Sequence, residues 1–170
     1  MRYPFDYFVS KITCPGCGRM SEEDDSTKIA TAIQREPRHE SIGLGEVVDV
    51  AANIDERGYH ALRPYRCGEP LVLAETWECH GCGSSTNWVL IVIANGRVMS
   101  IQGVGSGSVA VECAHYLSDD GIDVLSRASG WPYESLIECI SADILRSHHA
   151  WLLQRDCPQL CRQKPSLFLS

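Results

Sequence analysis

The stretch that decides the fold runs from Cys79 to Ile101. It reads Cys79-His80-Gly81-Cys82-Gly83, then Asn87-Trp88-Val89-Leu90-Ile91-Val92-Ile93-Ala94, then Asn95-Gly96, then Arg97-Val98-Met99-Ser100-Ile101. Asn-Gly supplies the two positive-φ residues of a type I′ turn, so the flanking runs form a β-hairpin with a two-residue loop. The first arm is apolar at nearly every position, which predicts a strand covered on both faces. Working upstream, Leu71 to Trp77 is a second strand candidate. Tyr3 to Ile12 is a third, aromatic and β-branched, and Gly45 to Val50 a fourth. Asp55-Glu56-Arg57-Gly58 and Arg63-Pro64 are turn-like breaks between them.

Downstream the hydrophobic period changes. Gly103-Val104-Gly105-Ser106-Gly107-Ser108 reads as a flexible connection between two segments. A short helix is predicted over Gly121 to Ser129. After Gly130-Trp131-Pro132, the residues Leu136, Ile137, Ile140, Ile144, Leu145, Trp151 and Leu152 recur at helical steps. Pro132 suits the first turn of that helix and Pro158 its end. The expected fold is α+β. An antiparallel β lobe, centred on its cysteine motifs, covers residues 1–104, and a helical segment over 108–170 packs on it within the same domain.

Cysteine carries the chemistry. Cys14-Pro15-Gly16-Cys17-Gly18 matches Cys79-His80-Gly81-Cys82-Gly83: two C-x-x-C knuckles, each followed by glycine. Two thiolates at this spacing grip one metal ion while the turn aims backbone N–H groups at the sulfurs. The four together predict a closed, structural Zn2+ site at Cys14, Cys17, Cys79 and Cys82, with no open position for water. A redox dithiol or independent buried thiols are the alternatives.

The knuckles beside strands resemble a zinc ribbon. One departure is length: 61 residues separate Cys17 from Cys79, against a usual gap of ~15–20. The insertion 18–78 must then contain strands of its own. Of the other five cysteines, Cys113 and Cys139 lie in apolar stretches and read as core. Cys67 could replace a knuckle ligand. Cys157 and Cys161, with His148 or His149, could form a second metal site. His80 reads as an exposed turn residue, and His39, His60 and His115 stand singly.

The 170 residues hold 15 basic and 22 acidic side chains, a net charge of −7, with 44% hydrophobic residues. The acidity is shared between residues 1–104 and 105–170, with no basic stripe. An odd count of nine cysteines cannot all pair as disulfides within one chain. No apolar run has membrane-spanning length, and the first residues lack a signal-peptide pattern, so a reducing cytoplasm is the expected location.

No Walker A loop, H-E-x-x-H, G-x-S-x-G or zinc-deaminase pattern is present. A loose G-x-G-x-x-A match from Gly105 to Ala110 lacks the acid expected downstream. A non-enzymatic role is therefore expected. Zinc ribbons commonly bind nucleic acid, and Arg35, Arg38, Arg57, Arg63 and Arg66 are the best available patch for that alternative.

In size, charge and compartment the chain resembles small acidic immunity proteins of bacterial polymorphic toxin systems. That resemblance implies a protein partner, a basic toxin, bound and occluded. The acidic segments Glu22-Glu23-Asp24-Asp25, Asp55-Glu56 and Asp119-Asp120 are the candidate contacts.

Overall fold

The computed structural model describes residues 6–21, 29–31, 33, 41–48, 54, 58–66, 68–84 and 86–152, the last nine by backbone alone. The described residues form an α+β structure with two sheets and three helices. The small sheet has the order β2(Ile29–Thr31)-β1(Asp6–Phe8)-β3(Ser41–Ile42). The large sheet has the order β4(Tyr59–Ala61)-β8(Tyr116–Ser118)-β5(Leu71–Trp77)-β6(Asn87–Ala94)-β7(Arg97–Val104). The helices are α1(Gly107–Cys113), α2(Asp119–Ser129) and α3(Tyr133–Leu152).

The β6–β7 hairpin forms as expected. Asn95 (φ 51) and Gly96 (φ 70) make the turn, and Ala94 pairs with Arg97 across it. One irregularity follows: Val92 opposes Ser100 and Ile93 opposes Val98, so Met99 is an extra, bulged residue. The insertion between the knuckles does contain strands, β2, β3, β4 and β5. In the described part of the Gly45 to Val50 candidate, residues 45–48, the strand is reduced to an isolated bridge from Val47 to Arg97. The sheets are mostly antiparallel, but β1–β3 and β5–β8 are parallel pairs.

Alternation sorts the side chains into two cores. Leu71, Leu73 and Trp77 of β5 and Val89, Ile91 and Ile93 of β6 join Phe8, Ile29 and Ile42 of the small sheet. From the opposite face, Ala74 and Trp88 join Ala110, Leu117, Ile122 and Val124 beneath the helices. The central strands β5 and β6 are therefore covered on both faces, as the unbroken apolar run in β6 requires.

The glycine-rich run is not a flexible connection. Gly103 lies within β7 and Gly107 opens α1. A Cβ on Gly103 would stand 2.9 Å from Ile12 Cγ2, and one on Gly107 3.0 Å from the Trp88 ring. Between them Ser106 caps α1 by accepting the Val109 N–H. The glycines thus allow close packing.

Helix α2 starts on Ser118, whose hydroxyl accepts the Gly121 N–H at 3.1 Å, and stops at left-handed Gly130. Asp119 and Asp120 occupy its first turn and Arg127 its last, the favourable dipole arrangement. Pro132 sits one residue before α3, its carbonyl accepting the Leu136 N–H. At Gly121, α2 lies tightly against Leu117 of β8. A Cβ there would lie 2.5 Å from Leu117 Cδ1, and Leu117 is fully enclosed. Gly121→Ala is expected to cost about 1–3 kcal/mol by overpacking, read as a lower denaturant midpoint; an unchanged midpoint would refute the tight contact.

Candidate metal centre

Each knuckle is shaped by its own backbone. Cys14 donates its N–H to the Arg19 carbonyl at 2.9 Å, and the Gly18 N–H returns to the Cys14 carbonyl at 2.9 Å. In the second knuckle Cys79 N–H reaches the Ser84 carbonyl at 2.8 Å and Gly83 N–H the Cys79 carbonyl at 2.7 Å. Gly18 (φ 71) and Gly83 (φ 72) take the same left-handed conformation, which is why each motif ends in glycine. The first knuckle is closed by a bridge between Thr13 and Met20. The second connects β5 to β6.

The two turns face each other. Cys14 Sγ lies 3.8 Å from Cys82 Sγ, and Cys17 Sγ lies 3.8 Å from Cys79 Sγ. All four sulfurs fall within 4.8 Å of one another. Four sulfurs at ~2.3 Å from a central ion form a tetrahedron with edges of about 3.8 Å, so the cluster can hold a metal ion. The closest pairs are far beyond the ~2.05 Å of a disulfide. In each knuckle the first cysteine is buried and the second exposed.

The sulfurs do not titrate alike. N–H groups of Cys82 and Gly81 hold the Cys79 thiol down to about 7, against the opposing effect of desolvation. The Ser84 N–H favours the Cys82 thiolate, yet desolvation and the three neighbouring sulfurs push it up to about 11. Negative charge on one sulfur thus opposes charge on the next. A cation at the centre would relieve that repulsion and allow all four to ionise.

Arg19, not anticipated from the sequence, lies over the second knuckle. Its Cδ and Nη1 come within 2.9 and 3.5 Å of where a Cβ on Gly81 would stand, and Cys79 Sγ is 3.5 Å from the same point. A guanidinium there would offset part of the negative charge that four thiolates would leave around a divalent ion. The only hint was its place directly after the first motif.

His80 is exposed in its turn, as expected. Cys113 and Cys139 are exposed, not core: the helical period turns them outward while Ala110 and Ile140 face the packed side. His60 Nε2 meets Asp119 Oδ1 at 2.5 Å, and Tyr133 donates to the same oxygen at 2.7 Å. Partial burial pushes the Asp119 carboxyl up, but these two bonds hold it below its ordinary value overall. His115 accepts the Val72 N–H on Nδ1 and contacts Glu69 through Nε2. Burial depresses its pKa, in keeping with a neutral structural imidazole.

Asp120 is exposed beside Asp119. Glu22, Glu23, Asp24, Asp25, Asp55 and Glu56 lie outside the described residues, as do Cys67, Cys157, Cys161, Arg35, Arg38 and Arg57 and the side chains of His148 and His149. Arg63 donates to the Ala114 carbonyl at 2.8 Å and to that of Glu112. Among the described residues, no helix is long and apolar enough to cross a membrane. In comparisons with protein-family models, curated proteins and solved structures, nothing matches the chain.

Proposed function

We propose that Cys14, Cys17, Cys79 and Cys82 hold one Zn2+ as a structural staple in a non-enzymatic, protein-binding protein. Its partner is basic, and its role is that of an immunity- or antitoxin-type inhibitor that occludes a toxin. The observation that carries the metal assignment is the sulfur spacing of 3.8 Å in both cross-knuckle pairs. A closed set of four thiolates favours zinc and leaves no coordination position for a reacting water. Reduced thiolates require a reducing compartment, so the proposed location is the cytoplasm.

The partner reading draws support from charge. A chain of net −7 attracts and orients a basic protein but repels phosphates. Arg63, one of the five arginines that could serve a nucleic acid, is instead engaged by backbone carbonyls. The toxin-inhibitor role rests on the likeness in size and charge alone.

Two measurements test the proposal. Elemental analysis of reduced, purified protein should return one zinc per chain; a folded protein without metal would end the staple. Affinity capture from the native cell should yield a basic protein in equal stoichiometry, released by salt. Recovery of nucleic acid instead, or of no basic protein, would overturn the partner reading.

A further inference from the structure

The even division of charge between the chain's halves conceals a local excess. From Gly107 to Asp143 there are seven carboxylates and a single cation, Arg127. All seven are exposed, and Arg127 is paired with Asp123 at 3.0 Å. Folding places the helices of this segment, which carry all seven, as a layer over one face of the large sheet. Within it a cleft of about 360 Å³ opens between the end of β4, α1 and α3.

The walls of the cleft are apolar: Leu62, Val111 and Ile140, each half-buried. Glu112 and Asp143 line it as exposed carboxylates. Arg63, the one cation lining it, turns its guanidinium onto the carbonyls of Ala114 and Glu112. An apolar recess rimmed by two carboxylates, on a layer where acidic side chains outnumber basic ones, selects a ligand that combines an apolar side chain with flanking positive charge.

We infer that this cleft is the docking site for the basic partner and receives an apolar side chain flanked by lysine or arginine. The inference rests on the protein-binding reading above. It assigns contact to the helical layer at Glu112 and Asp143, which the acidic runs in the sequence do not include.

The test is an NMR titration of the zinc-loaded full-length protein with acetyl-Lys-Lys-Leu-Lys-Lys-amide. Amide shifts should concentrate at Val111, Glu112, Ile140 and Asp143. Replacing the peptide's leucine by serine should weaken binding at least about threefold, and Glu112→Lys with Asp143→Lys at least about tenfold. An unchanged melting temperature confirms that the double variant is folded; should it melt lower, Glu112→Lys alone carries the comparison. Shifts scattered over the acidic face, or indifference to the leucine, would reduce the effect to bare charge and overturn the inference. Self-association through the same residues would assign the cleft to a second copy and also overturn it. In capture from the native cell, equal retention of the basic partner by wild type and double variant would end the cleft assignment while leaving the partner reading intact. Absence of any basic protein in the wild-type capture would end both.

Discussion

Cys82→Ser is expected to abolish stoichiometric metal binding and to lower the melting temperature by at least about 10 °C. The size of the effect follows from what the centre joins. One knuckle follows β1 of the small sheet, and the other connects β5 to β6 of the large sheet. The core between the sheets includes Cys14 and Cys79 themselves. Apparent zinc affinities in small tetradentate sites amount to about 10–16 kcal/mol. A shortfall of even about 4 kcal/mol shifts the midpoint of a chain this size by roughly 10 °C. Calorimetry with metal analysis makes the measurement, and hydrogen exchange should show protection falling first in β1, β2 and β3. His80→Ala, in the same turn, should change neither metal content nor melting. An unaltered melting temperature in Cys82→Ser would refute the staple.

Glu75→Gln should remove most of the pH dependence of stability between pH 4.5 and 8. Glu75 is 2% exposed, on the face of β5 that looks toward the small sheet. Tyr59 donates its hydroxyl to it, and Thr31 Oγ1 lies 2.7 Å from the same hydroxyl. Burial lifts the Glu75 carboxyl from 4.5 to about 8; hydrogen bonds from Tyr59 and Ser118 oppose the shift, and the Asp120 and Asp119 charges add to it. The folded protein therefore holds a proton that the unfolded chain releases above pH 4.5.

Stability from this group is fully present below pH 4.5 and is lost as pH rises toward 8, with no further loss above. Across that window the loss is on the order of 5 kcal/mol, and at pH 7 about 3 kcal/mol is already gone. Glutamine keeps the acceptor for Tyr59 and never ionises. Its denaturation midpoint should be flatter with pH and higher than wild type at pH 8. A variant that tracks wild type across this range would show that Glu75 is not the responsible group.

The sequence made some elements legible because a single local cause sufficed. Asn95-Gly96 needs only its two positive φ angles, and each knuckle needs only its two sulfurs and a glycine. Helix α3 announces itself by period. Other features arise only from long-range contact. Nothing local marks Glu75 as buried, since Leu71 to Trp77 reads simply as a strand. The run from Gly103 to Ser108 looked flexible by composition, yet Gly103 and Gly107 are small because Ile12 and Trp88 press on them. Cys113 and Cys139 have apolar neighbours in the chain but occupy outward helical positions. The excess of carboxylates between Gly107 and Asp143 was hidden by averaging over the whole second half.

The three-residue strand β8 has a consequence for synthesis on the ribosome. It comes late in the chain but occupies the slot between β4 and β5, antiparallel to one and parallel to the other. The β5–β6–β7 meander uses neighbouring segments and can assemble as it emerges. Strand β4, though made before all of them, pairs among the described strands with β8 alone, and so waits until Ser118 has left the exit tunnel. The nascent chain therefore carries an unpaired β4 and an open edge on β5 through much of translation, the interval in which it is most exposed to misassociation.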